Sequence, residues 1–142
     1  MEGFAFSVSL DLLRQGVKSE EGVWVVVRGG SMGPSWEGVR VRLRSARWVW
    51  PGDLVVFLDG AGNLVLHRWL GAVWWPGRGI LHWTQGDFAP QADGWFGSDR
   101  LIARVVEVEE ARKLVASWPV RFSDRVRAVW RGFTALWACL AR

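Results

Sequence analysis

The chain has 142 residues, half of them hydrophobic, which is material for one domain around one core and not for a disordered tail. Its net charge of +4 rests almost entirely on arginine, since only Lys18 and Lys113 among the 18 basic residues are lysines. A basic balance of this size attracts nucleic acid, anionic lipid or acidic peptide without specificity, and identifies none of them.

In chain order, Met1 to Ser9 lacks the basic start, apolar run and small-residue cleavage site of a secretory signal. Phe6, Leu10, Leu13 and Val17 then recur at three- and four-residue steps, with Ser7 or Ser9 as a cap and Gly16 as a stop. This spacing predicts an amphipathic helix over about 6–16. From Val23 to Val108 short runs of Val, Leu, Ile and Trp alternate with Gly, Pro, Asn and Asp, the pattern of a compact antiparallel β domain. Val23 to Val27 reads as a buried strand. Val39 to Leu43 interleaves with Arg40, Arg42 and Arg44, so one face is apolar and the other cationic. Pro51-Gly52-Asp53 is a turn, and Asp59-Gly60-Ala61-Gly62 joins strands at Leu54 to Leu58 and Asn63 to Leu70. Thr84 to Asp87 reads as a turn and Leu101 to Val108 as the closing strand. After Pro119 the period returns to helical, predicting a C-terminal helix over about 121–141. Cys139 sits in that helix as a small apolar residue; alone, it forms no internal disulfide or zinc cluster. No stretch reaches the ~18 apolar residues of a membrane-spanning helix.

Chemistry concentrates at Arg28-Gly29-Gly30-Ser31-Met32-Gly33-Pro34, directly after the first strong strand. Glycines before a serine let the backbone turn sharply and present the hydroxyl, although the same run also makes an ordinary loop. A serine nucleophile needs a base within hydrogen-bond reach and usually a third group to orient that base. A lysine base would have to be Lys18 or Lys113, both outside the apparent core, whereas His67 lies in a core strand. An unperturbed imidazole titrates near pH 6.5 and accepts a proton at neutral pH without the desolvation a lysine needs. The second histidine, His82, reads as a packing residue.

These residues resemble the boxes of type I signal peptidases. Ser31-Met32-Gly33-Pro34 is similar to their Ser-Met-x-Pro nucleophile box, and Gly52-Asp53-Leu54-Val55 to their Gly-Asp-Val-Val strand start. Leu66-His67-Arg68 resembles the His-Arg pair of the endoplasmic-reticulum and archaeal branch. Gly86-Asp87, 20 residues after His67, and Asp93, 26 after it, resemble that branch's Gly-Asp box and second aspartate. Arg104-Val105-Val106 is similar to the closing Gly-Arg-Val strand, with Ala103 where the glycine would be. The resemblance spans Val23 to Val108.

It implies a signal-peptidase/LexA-like complex β fold with flanking N- and C-terminal helices, forming a single domain over 1–142 with its catalytic core over about 23–108. It also implies a serine endopeptidase with Ser31 as nucleophile, His67 as base and Asp93 with Asp87 as supporting carboxylates. Asp93 takes the matching position of the histidine partner, and Asp87 is expected to hold the 86–93 loop or the Ser31 turn; the order of the two stays open. Gly29, Gly30, Met32 and Pro34 shape the nucleophile loop, while Arg68 and Gly86 support the site. Two departures bear on activity. Gly29 stands where many relatives place an oxyanion-hole serine, so about 10²-fold lower activity is expected if no other donor replaces it. The family's N-terminal membrane anchor is also missing.

The expected substrate is an extended peptide or precursor protein, with small residues before the cut and no cofactor or metal. Localisation is expected to be cytoplasmic or peripheral to the inner membrane, the C-terminal helix offering the lipid contact. The excess of tryptophan, including Trp48, Trp50, Trp69, Trp74, Trp75 and Trp95, exceeds what one core can bury. Arg40, Arg42, Arg44 and Arg47 read as a solvated strand face in preference to a nucleic-acid strip. Two alternatives stand beside the peptidase: a weakly active peptide-binding module on the same fold, and a LexA-type regulatory peptidase. Against the latter, Met1 to Glu21 is too short for a helix-turn-helix and no Ala-Gly dipeptide precedes Ser31.

Overall fold

The computed structural model describes residues 9–109. The expected C-terminal helix, with Cys139, and the first residues of the expected N-terminal helix lie outside the described residues.

The first element is α1 (Leu10–Gly16), two turns that bury Leu13, with the following Val17 also buried. Gly16 ends it where the chain passes against Val23, leaving no room for a side chain. Seven strands follow: β1 (Val23–Val26), β2 (Arg40–Ser45), β3 (Leu54–Leu58), β4 (Leu64–Trp75), β5 (Gly79–Gln85), β6 (Phe96–Gly97) and β7 (Leu101–Val108). They form one antiparallel sheet in the order β1-β2-β7-β3-β4-β5-β6, curled into a half-barrel. The expected mainly β class and its short N-terminal helix are therefore present.

Local chemistry explains the connections. Asp59 caps the β3–β4 hairpin by accepting from the amides of Ala61 and Asn63, while Gly62 adopts φ 84° in the left-handed region. Asp53 closes the turn before β3 by accepting from the Trp50 amide. In β2 the alternation is literal: Val41 and Leu43 are fully buried, and the arginines face away from them. Arg40 and Arg42 pair with Glu109 and Glu107, and Arg40 also lies over the Trp24 ring. Such exposed pairs contribute ~0–1 kcal/mol each.

The β4–β5 region departs from the sequence expectation. β4 runs five residues past Leu70, and Thr84 and Gln85 end a strand instead of opening a turn. The turn comes later, where the Ala89 amide donates to the Gly86 carbonyl. Period-two reading failed here for a physical reason. Trp74, Trp75 and Ile80 all project into solvent at the hairpin end, whereas His82 through Gly86 are buried in succession. Neither stretch shows an inside–outside alternation. Trp48, Trp50 and Trp95 are also exposed, while Trp69 is buried.

One core cluster joins α1 to the sheet and includes Val27, Met32 and Trp36 from the segment between β1 and β2. That segment carries Ser31, so the loop is nailed to the core on both sides of the serine. Among the described residues no helix is long and apolar enough to cross a membrane.

Candidate functional site

Ser31 sits at the corner of a turn closed by the Gly33 amide donating to the Gly30 carbonyl. Met32, only 2% exposed, plugs the turn into the core, and Pro34 opens a single helical turn over Pro34–Trp36. At the base of the loop the Gly29 amide donates to Glu37 Oε2 at 2.8 Å. Gly29 and Gly33 have thus committed their N–H groups, which leaves the amides of Gly30, Ser31 and Met32 as main-chain donors near the serine.

His67 projects from β4, opposite Val55 of β3, and is buried. Its Nδ1 lies 2.6 Å from Asp93 Oδ2. The same oxygen accepts from the Thr84 hydroxyl at 2.7 Å, and the Asp93 amide donates back to the Thr84 carbonyl at 2.7 Å. Thr84 therefore grips Asp93 by side chain and main chain together. A carboxylate accepts only, so in the neutral ring Nδ1 carries the proton and Nε2 presents a lone pair. Phe57 flanks the imidazole at a centroid distance of 5.8 Å and itself stacks on Phe96.

Gly86 brings the serine loop and the histidine together. The point where a Cβ on Gly86 would sit is 2.5 Å from the Ser31 carbonyl oxygen and 3.0 Å from His67 Nε2. The Ser31 carbonyl and the imidazole lie on either side of that missing methyl. The Phe88 amide then donates to the Ser31 carbonyl at 3.0 Å, tying the two loops together. Nε2 is buried and has no hydrogen-bond partner among the described residues, so the Ser31 hydroxyl is not bonded to it in this resting arrangement. Catalytic hydrogen bonds are often loose before substrate binds, and a buried unsatisfied nitrogen calls for a functional reason.

Asp87 does not share the imidazole. Its two oxygens accept from Arg68 Nε at 2.8 Å and a terminal guanidinium nitrogen at 2.7 Å, a bidentate fork. The other terminal nitrogen of Arg68 donates to the Gly52 carbonyl at 2.8 Å. Through Arg68 three separated stretches, the Gly52 turn, β4 and the 86–93 loop, are joined. The sequence had left Asp87 a choice of roles; the geometry gives it the loop and leaves the histidine to Asp93.

Sequence reasoning missed Thr84, Gln85 and Phe88. Thr84, fully buried, was hidden by the turn reading of 84–87; a threonine at the end of a strand, nine residues before an acid, was the available signal. Among the described residues no group of three or more His, Cys, Asp or Glu is placed to hold a metal.

His82 makes a separate, structural network. Trp69 Nε1, which can only donate, meets its Nδ1 at 3.2 Å, so the proton resides on Nε2 and points to Ser98 Oγ at 2.9 Å. Burial lowers the His82 pKa below the usual imidazole value. Between that lowered pKa and the unfolded value near 6.5, the unfolded chain binds the proton and the native state does not. The contribution of His82 is therefore complete above about pH 6.5 and falls as the solution is acidified below it. Thermal melts at pH 7.5 and 5.5 should show a smaller acid-side loss of Tm in His82→Asn than in the wild type; equal losses would refute the assignment.

Fold and site together define a mainly β domain in which a serine loop, a histidine and a carboxylate converge at one place on the sheet. No family model and no curated protein matches the chain.

Proposed function

We propose that this protein is a serine endopeptidase of the signal-peptidase type, with Ser31 as nucleophile, His67 as general base and Asp93 as the group that orients and charges the histidine. The observation that carries this reading is the line Thr84–Asp93–His67, ending with a bare Nε2 turned toward the Ser31 loop across Gly86. A part-buried hydrogen-bonded carboxylate, a buried imidazole and a loop serine in that order are what acyl transfer to a hydroxyl requires.

Ser31 Oγ bonds to the substrate carbonyl carbon while His67 Nε2 takes its proton, and the imidazolium is stabilised by Asp93. The amides of Gly30, Ser31 and Met32 are the donors at hand for the developing oxyanion. Nε2–H then protonates the leaving nitrogen as the C–N bond breaks. Water attacks the acyl ester, giving a proton to Nε2, and that proton returns to Ser31 when the ester breaks. Asp87 and Arg68 fix the loop without touching the reacting atoms.

An extended peptide binds such a domain by lying along a sheet edge. Among the described residues β1 is an edge strand, and it runs directly into the Ser31 loop, which suits that mode. The fold is read as signal-peptidase-like, and localisation as cytoplasmic or peripheral to the inner membrane. The alternative, a module that binds peptide without cleaving it, is favoured by one observation: Ser31 is not hydrogen-bonded to Nε2 at rest.

Wild-type protein and Ser31→Ala incubated with a mixed peptide library, with new N-termini read by mass spectrometry, separate the two. Cleavage by wild type that disappears in Ser31→Ala is expected. Binding by both proteins with cleavage by neither would establish the binding module.

A further inference from the structure

Phe88 stands out against the packing around it. It is 70% exposed, yet its main chain is among the most restrained in the site. Its amide is held by the Ser31 carbonyl, the turn it occupies is closed by the Ala89-to-Gly86 hydrogen bond, and the buried Gln85 side chain donates to the Ala89 carbonyl at 2.9 Å. The preceding Asp87 is forked by Arg68. One edge of the ring lies on Gly33, two residues after the serine: a Cβ there would meet ring atoms Cδ2 and Cε2, the latter at 2.5 Å. Gly33 also has φ 92°, so both backbone and ring demand glycine.

Scattered exposed apolar residues are ordinary on protein surfaces. An exposed ring on a locked turn, laid along the loop of the proposed nucleophile, is different in kind. The turn holds the ring at fixed height beside Ser31, and the ring stacks on no other aromatic side chain among the described residues. Phe88 is tied to Ser31 by a main-chain hydrogen bond, so a peptide whose carbonyl reaches Ser31 comes close to that ring.

We propose that Phe88 determines specificity, forming the wall of a subsite that takes a large apolar side chain of an extended peptide close to the bond cleaved, at a position other than the small residue expected directly before it. This inference rests on the peptidase reading above and names its substrate class. Desolvating the Phe88 face and an apolar substrate side chain together favours such peptides, and pocket contacts of this size discriminate by about 10–200-fold. The ring acts by contact with substrate and not through His67 or Asp93.

The test is cleavage profiling of a peptide library by wild type, Phe88→Leu and Phe88→Ala, with Ser31→Ala as the blank. The quantity read is the ratio of kcat/KM for peptides with a large apolar residue near the cut to that for peptides with a small polar residue there. The ratio should fall about tenfold in Phe88→Ala and be largely kept in Phe88→Leu. A ratio that does not move, whether total activity is kept or lost uniformly, overturns the inference and reduces Phe88 to a loop-holding residue. If the wild type cleaves no more than the Ser31→Ala blank, the peptidase reading itself falls and takes this inference with it.

Discussion

Replacing Asp93 by alanine should lower kcat by about 10⁴-fold while the protein stays folded, the size seen when the acid behind a catalytic histidine loses its role. Two losses combine. The imidazole of His67 is no longer locked with its proton on Nδ1, so Nε2 spends part of its time protonated and unable to accept from Ser31. The imidazolium formed during attack also loses its counter-charge in a buried place. The substitution further orphans the fully buried Thr84 hydroxyl, which should destabilise the fold by about 1–3 kcal/mol, read as a lower denaturant midpoint.

Asp93→Asn divides these effects, because both hydrogen bonds fall on one oxygen, Oδ2. An amide carbonyl placed there accepts from Nδ1 and from Thr84 together, keeping the orientation and removing only the charge. The Asn variant should therefore retain more activity than the Ala variant and nearly wild-type stability. Steady-state kinetics and urea titration on the three proteins decide it. Equal wild-type rates in all three would remove Asp93 from the mechanism.

Gly86→Ala should lower kcat by at least about 10²-fold in the protein that remains folded. The added methyl would meet the Ser31 carbonyl oxygen at 2.5 Å and its carbon at 3.1 Å, and these are backbone atoms with no cheap retreat. It would also meet His67 Nε2 at 3.0 Å, so either the serine loop or the imidazole must move. A displacement near 1 Å at the reacting groups is enough for a 10²-fold loss. Gly86 is itself buried, so the displacement should also lower Tm, and kcat read well below the melt separates the loss of catalysis from the loss of stability. A Gly86→Ala protein with unaltered kcat and kcat/KM would show that Ser31 and His67 need not meet here.

Particular residues show how far the sequence could be read. The alternation of β2, the hairpin at Asp59 to Asn63 and the closing strand β7 were legible because each depends on neighbours a few residues away. Ser31, His67 and Asp93 were legible as an ordered set of boxes at fixed intervals. β5 was not legible, since a hairpin that projects at one end and is buried at the other shows no period. Thr84 was lost with it. The role of Asp87 was undecidable in the same way: nothing along the chain says that Arg68, next to His67, will reach across and occupy both carboxylate oxygens.

By itself the sequence determined the chemical inventory: one serine on a glycine loop, one histidine in a core strand, no lysine beside it, and two aspartates downstream. It also determined the β class, because alternation and turn chemistry act locally. Tertiary structure alone decided which aspartate faces the imidazole, that a threonine holds it, that Gly86 must lack a side chain and that Phe88 stands open beside the serine. Those are distances between residues far apart in the chain, set by how seven strands pair and curl, and strand pairing is fixed by the burial of whole faces and not by any residue's immediate neighbours.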